Sequence, residues 1–145
     1  MNPVRVLIVD DAATVRLYHR KLLGDAGWAT EEAVNGVEAL ERASAAPAGQ
    51  PFDLFVVDVN MPKLDGYGFI RALRQAPLAS AAPVLMVSTE AQLQDASAAL
   101  DAGANCYLVK PARPAELVLT AALLVGDWDA ASKAVQAQLP RGAAS

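Results

Sequence analysis

Five polar side chains stand where short apolar runs of the sequence end, and their types suit phosphoryl transfer. Two aspartates follow the first run, and a third aspartate, a serine and a lysine follow three later runs: Asp10, Asp11, Asp58, Ser88 and Lys110. Each alone would be an ordinary turn or cap residue, but all five at equivalent points need another explanation. Three carboxylates in one crevice repel one another, and a hard cation such as Mg²⁺ relieves that repulsion. A carboxylate beside that cation can attack a phosphoryl group, whose oxygens an ammonium and a hydroxyl would stabilise.

The apolar runs have the length of buried parallel strands, and helical patterns separate them. The strand candidates cover residues 4–9, 29–34, 52–57, 83–87 and 106–109. Near-continuous apolar runs suit strands that are covered on both faces, and the alternation with helices predicts an α/β domain with a parallel sheet. Ligands bind beyond the carboxyl ends of such strands, which is where the five polar residues lie.

Composition excludes several other classes of protein. The chain has 145 residues, 54% of them hydrophobic and 19% charged, which fits one domain with its own core. Its single cysteine, Cys106, excludes an internal disulfide framework. The net charge of -4 argues against nucleic-acid binding, and no apolar run approaches the roughly 20 residues of a membrane span. Since no signal peptide is recognisable, we expect a cytoplasmic protein without membrane insertion.

The C-terminal end carries more chain than five strand–helix units need. Gly126 can end the fifth helix, and Asp127 can cap another one. The side chains that share one face of this additional helix are Trp128, Ala131, Val135 and Leu139, and Pro140 stops it. The sequence therefore predicts one domain over residues 1–126, an additional helix over 127–140 and a disordered tail over 141–145.

The fifth helix is apolar on both sides, so its outer face requires cover. Its sheet-facing side would be Leu117, Ala121 and Leu124, and the opposite positions are Val118, Leu119, Ala122 and Leu123. Two explanations stay open. The additional helix folds back over this face within the monomer, or both helices form the surface of a homodimer or a partner protein.

The motif set resembles that of response-regulator receiver domains. The resemblance runs from about Val4 to Val125 and rests on Asp10-Asp11, the stretch 58–62 (DVNMP), Asp65-Gly66, Ser88 and Lys110-Pro111. The segments 84–91 and 103–107 are similar to those of the chemotaxis single-domain type, which is CheY-like. The resemblance implies a doubly wound, five-stranded parallel sheet of the (βα)5 type with the flavodoxin-like order 2-1-3-4-5. The additional C-terminal helix would follow it.

The resemblance also assigns roles at the predicted site. It makes Asp58 the phosphoacceptor, places Lys110 on a phosphoryl oxygen and lets Ser88 hydrogen-bond the phosphoryl group. Mg²⁺ would be held by Asp11, Asp58 and the backbone carbonyl of Asn60, with Asp10 in direct or water-mediated support. Tyr107 takes the position of the switch aromatic, Asn60 and Glu90 those of residues that modulate dephosphorylation, and Lys110-Pro111 that of a cis peptide bond.

We therefore predict a bacterial, stand-alone response regulator of a two-component phosphorelay, which is a signalling switch and not an enzyme. A histidine kinase or phosphotransfer protein would phosphorylate it, and a target protein would bind the face of the fourth helix, fifth strand and fifth helix. A relay intermediate is the alternative within the family. A haloacid-dehalogenase-type hydrolase is disfavoured, because Asn60 stands where those enzymes need a second aspartate.

Overall fold

The sheet has the predicted order. The computed structural model of the chain describes residues 3–47, 49–76 and 81–138. Within these ranges, five parallel strands form one sheet in the order β2-β1-β3-β4-β5. The strands are β1 (Arg5–Val9), β2 (Ala29–Ala33), β3 (Leu54–Val57), β4 (Val84–Ser88) and β5 (Cys106–Val109). The flavodoxin-like prediction is thus confirmed, including the weakly apolar second strand.

A helix follows every strand, and an additional helix follows the fifth helix. They are α1 (Ala13–Asp25), α2 (Gly36–Ala45), α3 (Gly66–Arg74), α4 (Leu93–Ala102), α5 (Pro114–Val125) and α6 (Trp128–Gln138). In the parts of the chain that the structure describes, none of these helices has the length and apolar character of a membrane span.

Alternate side chains of the strands enter two separate cores, one on each face of the sheet. In β1, Leu7 and Val9 point to the core under α2, α3 and α4, whereas Val6 and Ile8 point to the core under α1, α5 and α6. All four side chains are fully buried. Because both faces of the sheet are covered, the central strands must be apolar throughout, which is the pattern seen in the sequence.

The face that α1 buries was predicted only in part. The spacing of Val15, Tyr18, Leu22 and Ala26 along the sequence predicts one helical face, and Leu22 and Ala26 do pack, partly buried, against the core. The most buried side chains are instead His19 and Leu23, whereas Tyr18 is 38% exposed. The Tyr18 hydroxyl instead donates a hydrogen bond to the backbone carbonyl of Ala112, 3.2 Å away.

The additional helix α6 packs along α5 within the same chain. Its buried residues are Ala130, Ala131 and Ala134, whose small side chains allow the two helices to approach closely. The predicted face was therefore wrong in part, since Trp128 and Val135 are exposed, while Leu139 and Pro140 lie outside the described residues. Ala122 of α5 is fully buried, so the first explanation for the apolar outer face applies there.

A side-chain hydrogen bond holds the start of α6 against the segment between α1 and β2. The indole of Trp28, which is buried just before β2, donates to Asp127 Oδ2 at 2.8 Å. The other oxygen of Asp127 accepts the backbone N–H of Ala130 at 3.1 Å, which caps α6 as predicted. One carboxylate therefore both begins the helix and docks it.

Replacing Trp28 by phenylalanine should lower the thermal stability of the protein. The indole donor is lost while an aromatic ring still fills the core, so we expect a cost of about 1 kcal/mol and a Tm lower by about 3 °C. Differential scanning calorimetry measures this. Trp128→Phe is the matched control, because Trp128 is 65% exposed, and an equal loss in that variant would contradict the docking role of Trp28.

Candidate functional site

Three carboxylates meet at the carboxyl edge of the sheet. Asp10 and Asp11 follow β1, and Asp58 follows the neighbouring strand β3; each offers an oxygen within 4.8 Å of the others. Asp10 is 2% exposed and Asp58 is 8% exposed, whereas Asp11 is open to solvent. The chain order of the strands does not place these residues side by side, but the sheet order does, because β1 lies next to β3.

Lys110 places a positive charge between two of the carboxylates. Its Nζ donates to Asp10 Oδ2 at 2.6 Å and to Asp58 Oδ1 at 3.1 Å. Burial alone would lower the pKa of the Lys110 ammonium, but hydrogen bonds and charges from Asp10 and Asp58 outweigh it and raise the pKa above its usual range. The ammonium is therefore held in its charged form at neutral pH.

The electrostatic environment of Asp58 opposes the ionised carboxylate. Burial raises the pKa of Asp58, repulsion from Asp10 and Asp11 raises it further, and Lys110 offsets only part of this. An additional cation near these oxygens would relieve the same repulsion. The protein therefore compensates only part of the negative charge of the Asp58 carboxylate.

The donor set fits a hard divalent cation. Asp10 already uses both carboxylate oxygens, Oδ1 for the backbone N–H of Ala12 at 2.9 Å and Oδ2 for Lys110. Asp11 faces solvent close by, and Asp58 carries a second oxygen besides the one that Lys110 contacts. Carboxylate oxygens are the ligands that Mg²⁺ takes, together with waters, so Asp11 and Asp58 are the residues suited to direct contact.

A chain of hydrogen bonds joins the end of β4 to the aromatic ring on β5. The Ser88 hydroxyl, which is fully buried, accepts the backbone N–H of Glu90 at 3.1 Å. The Tyr107 hydroxyl donates to the backbone carbonyl of the same Glu90 at 2.6 Å. Glu90 Oε1 in turn accepts the Asn60 side-chain amide at 3.4 Å. One residue therefore contacts the predicted phosphoryl-binding hydroxyl, the predicted switch aromatic and the loop after Asp58.

The loop after Asp58 lies directly against the start of α3. A Cβ atom at Gly66 would come within 2.2 Å of the Asp58 carbonyl oxygen, so only glycine allows this approach. Asp65, the residue directly before Gly66, caps α3 by accepting the backbone N–H of Gly68 at 2.8 Å. The peptide bond between Lys110 and Pro111 is cis.

The structure thus brings every predicted site residue to one end of the sheet, and it adds two that sequence reasoning missed. His19 is 3% exposed, although nothing in the sequence pattern indicates its burial; burial lowers the pKa of its imidazole, and the charges of Asp10 and Lys110 act on it as well. Arg16 donates from Nη1 to the backbone carbonyl of Asp10 at 2.7 Å. The sequence carries only a weak signal for the Arg16 contact, since an arginine five residues after Asp11 on a helix is usually a solvated residue.

Curated proteins with similar sequences are regulators. The chain is 41% identical over 114 residues to the transcriptional regulatory protein PrrA of Mycobacterium bovis, which covers 79% of this chain and 46% of that protein. It is 39% identical over 107 residues to a gliding motility regulatory protein of Myxococcus xanthus, covering 74% of this chain and 13% of that protein. The chain thus spans less than half the length of these relatives.

Solved structures of similar fold point the same way. The chemotaxis response regulator CheY4 of Vibrio cholerae has a TM-score of 0.78 at 35% identity, covering 85% of this chain and 99% of that one. The receiver domain of sensor histidine kinase PA1611 from Pseudomonas aeruginosa has a magnesium ion coordinated in its active-site cleft; the TM-score is 0.76 at 26% identity, covering 87% and 99%. The family model of the response regulator receiver domain matches residues 6–122. The chain belongs to the family of response regulator receiver domains, which are signalling switches of two-component systems.

Proposed function

We propose that this domain accepts a phosphoryl group from a phosphohistidine onto Asp58 and thereby switches its binding to another protein. The observation that carries the proposal is the cluster of Asp10, Asp11 and Asp58, in which Asp10 and Asp58 bind the Lys110 ammonium. Inert surface aspartates would not be gathered at the carboxyl ends of the strands with a lysine whose side chain is only 14% exposed. The donor would be a histidine kinase or a phosphotransfer protein.

In the transfer, an Asp58 carboxylate oxygen forms a bond to phosphorus as the bond between phosphorus and the donor imidazole nitrogen breaks. The leaving imidazole keeps the electron pair of the broken bond and takes a proton from solvent. Lys110, which donates to Asp58 Oδ1 at 3.1 Å, would pair with a phosphoryl oxygen. Asp11, Asp58 and the predicted Asn60 carbonyl would hold Mg²⁺, with Asp10 in support. When bound, the cation would neutralise charge on the phosphoryl oxygens.

The hydrogen bonds around Glu90 suggest how the acceptor communicates with the surface. A phosphoryl oxygen on Asp58 would accept a hydrogen bond from the Ser88 hydroxyl, whose oxygen now accepts the N–H of Glu90, and would draw the serine side chain toward Asp58. Movement of Ser88 would shift the Glu90 backbone and release the Tyr107 hydroxyl from its carbonyl. The face of α4, β5 and α5 would change with the tyrosine, as a two-state equilibrium biased by one local charge.

This face is also the predicted docking surface for a downstream target. Exposed apolar residues lie on it and on the neighbouring α6: Leu93, Leu100, Val109, Leu123, Trp128 and Val135. A homodimer through α5 and α6 would have to use Leu123 with Val118 and Leu119, since Ala122 is buried. Several features stay predictions: the stand-alone role, the relay alternative, the modulating roles of Asn60 and Glu90, the limits of the receiver domain at 1–126 and the cytoplasmic location.

Phosphorylation should require a divalent cation. Incubation of the protein with acetyl phosphate and Mg²⁺ should add one phosphoryl group, which intact-mass spectrometry detects and hydroxylamine removes, as expected for an acyl phosphate. Chelation with EDTA should stop the labelling, because three clustered carboxylates would otherwise repel the incoming phosphate, and added Mg²⁺ should restore it. Labelling that is equal with and without Mg²⁺ would contradict the proposed site.

A further inference from the structure

The helix that follows the acidic residues begins without a capping side chain of its own. The N-cap position of α1 is Ala12, which has extended backbone angles and no side-chain acceptor, and the first turn holds no acidic residue. The Asp10 carboxylate instead accepts the N–H of the N-cap residue itself, Ala12, at 2.9 Å. The start of the helix and the acidic site are therefore built from one turn, residues 10–12.

The side chain of Arg16, on α1, holds this turn through the backbone of Asp10. Its Nη1 donates to the Asp10 backbone carbonyl at 2.7 Å, and its Nε donates to Glu32 Oε1 on β2 at 3.0 Å. The side chain is 15% exposed, so most of the guanidinium is withdrawn from water. Because the guanidinium is planar and has two fixed partners, it restricts the orientation of the Asp10 carbonyl as well as its distance from Arg16.

The carbonyl that Arg16 holds belongs to the peptide group joining Asp10 to Asp11. Every other polar group of Asp10 is already engaged: its N–H donates to the Ala33 carbonyl at 3.1 Å, and its carboxylate binds Ala12 and Lys110. Rotation of this peptide group would move the exposed Asp11 carboxylate relative to Asp58. The Arg16 contact, which comes from α1, opposes such a rotation.

We propose that Arg16 is a positioning residue that sets the geometry of the Asp10–Asp11 turn for a divalent cation, with Glu32 as its anchor. The inference rests on the proposed function, because it concerns the same cation site. Among the hydrogen bonds and ion pairs of the described residues, none joins Arg16 to the side-chain carboxylates of Asp10, Asp11 or Asp58, and Arg16 acts through the backbone carbonyl of Asp10. Glu32 shares its carboxylate between Arg16 and Arg20, so it offsets part of the positive charge that Arg16 brings near the cation site.

Positioning and simple electrostatics predict opposite results. If Arg16 acted only as a nearby positive charge, its removal would strengthen cation binding by relieving repulsion. If Arg16 sets the turn, its removal weakens binding, as does the loss of other groups that orient metal ligands indirectly. The sign of the change in Mg²⁺ affinity therefore distinguishes the two.

Arg20 provides a matched control on the same helix. Its Nη1 binds Glu32 Oε2 at 3.0 Å, so Arg20→Gln removes the same charge and an ion pair to the same carboxylate. The Arg20 side chain is 56% exposed, and the hydrogen bonds of the described residues connect it to Glu32 and not to Asp10. Only Arg16→Gln removes the contact to the acidic turn.

Isothermal titration of the full chain with MgCl₂, together with the Tm of the metal-free protein, tests the proposal. We expect Arg16→Gln to bind Mg²⁺ about tenfold more weakly and Arg20→Gln to bind it as the unaltered protein does. Arg16→Lys should restore part of the affinity, because one ammonium can reach the carbonyl but lacks the second arm of the fork. If Arg16→Gln does not fold, Glu32→Gln keeps Arg16 in place and should still weaken binding by removing its charged anchor.

Three results would overturn the inference: unchanged or tighter Mg²⁺ binding by folded Arg16→Gln, an equal loss in Arg20→Gln, or no loss in Glu32→Gln where Arg16→Gln is unfolded. These results leave the proposed function intact, since the unaltered protein would still bind Mg²⁺ and accept a phosphoryl group. A failure of the unaltered protein to bind Mg²⁺ would instead contradict the proposed function.

Discussion

Replacing Asp58 by asparagine should remove the phosphorylation of the protein. The amide is close in shape to the carboxylate but cannot form an acyl phosphate, so labelling with acetyl phosphate and Mg²⁺ should fall to background. Intact-mass spectrometry gives the extent of labelling, and peptide mapping gives its position. Asp101→Asn is the matched control, because Asp101 is an exposed aspartate on α4 away from the cluster. Retained, hydroxylamine-sensitive labelling in Asp58→Asn would contradict the assignment.

The same substitution should stabilise the metal-free protein at neutral pH. Since the pKa of Asp58 is raised in the folded state, its ionisation costs stability as the pH rises from its ordinary range through the raised value, and the cost persists above it. Asparagine cannot ionise, so we expect its Tm at pH 7 to be higher by about 3 °C. The difference from the unaltered protein should vanish in strong acid, where Asp58 is protonated in both states. Saturating Mg²⁺ should reduce or reverse it.

Replacing His19 should remove a large acid sensitivity of the fold. Burial lowers the pKa of the His19 imidazole from 6.5 to about 4, with the charge of Asp10 opposing and that of Lys110 reinforcing the shift. The unfolded chain takes up a proton below pH 6.5, but the folded chain does so only near pH 4, so stability is lost as the pH falls through this window. Linkage gives a loss of about 3 kcal/mol at the acid end.

Two substitutions separate the titration of His19 from its unpaired nitrogen. Nδ1 of His19 is buried without a hydrogen-bond partner among the described residues, which costs about 1–3 kcal/mol at any pH. His19→Leu should remove both penalties and raise the free energy of unfolding already at pH 7. His19→Gln should remove only the pH dependence between 4 and 6.5.

Urea denaturation at several pH values, with NMR titration of the imidazole, measures these effects. His19 is the only histidine of the chain, so the imidazole signals need no further assignment. The NMR titration should give a pKa of about 4. A value near 6.5, with the same pH dependence of unfolding in all three proteins, would show that the folded state does not exclude the charged imidazole.

The residues of the candidate site could be recognised from the sequence because their placement depends on short-range features. Each of Asp10, Asp58, Ser88 and Lys110 lies at or directly after the end of an apolar run. Parallel strands present their carboxyl ends at one edge, so any such residues must converge once the sheet forms. The strand order required the resemblance to a known family, since local patterns do not state which strands are neighbours.

The additional helix marks where local patterns stop being sufficient. Asp127 was identifiable as a cap because the capping bond to Ala130 spans only three residues. The face that α6 buries was not, because it depends on which small side chains allow close approach to α5. The bond from Trp28 to Asp127 joins residues 99 positions apart, and no periodicity indicates it.

The sequence by itself determined the class of fold, the cluster of carboxylates with its lysine and serine, and the likeness to the receiver family, because these follow from apolar runs and from what ends them. Only the tertiary structure decided that His19 is buried, that Arg16 reaches the Asp10 carbonyl and that Glu90 links Ser88 to Tyr107. Such contacts depend on the rotation of a helix or the path of a loop. Packing between residues distant in the chain sets both, and spacing along the chain does not encode them.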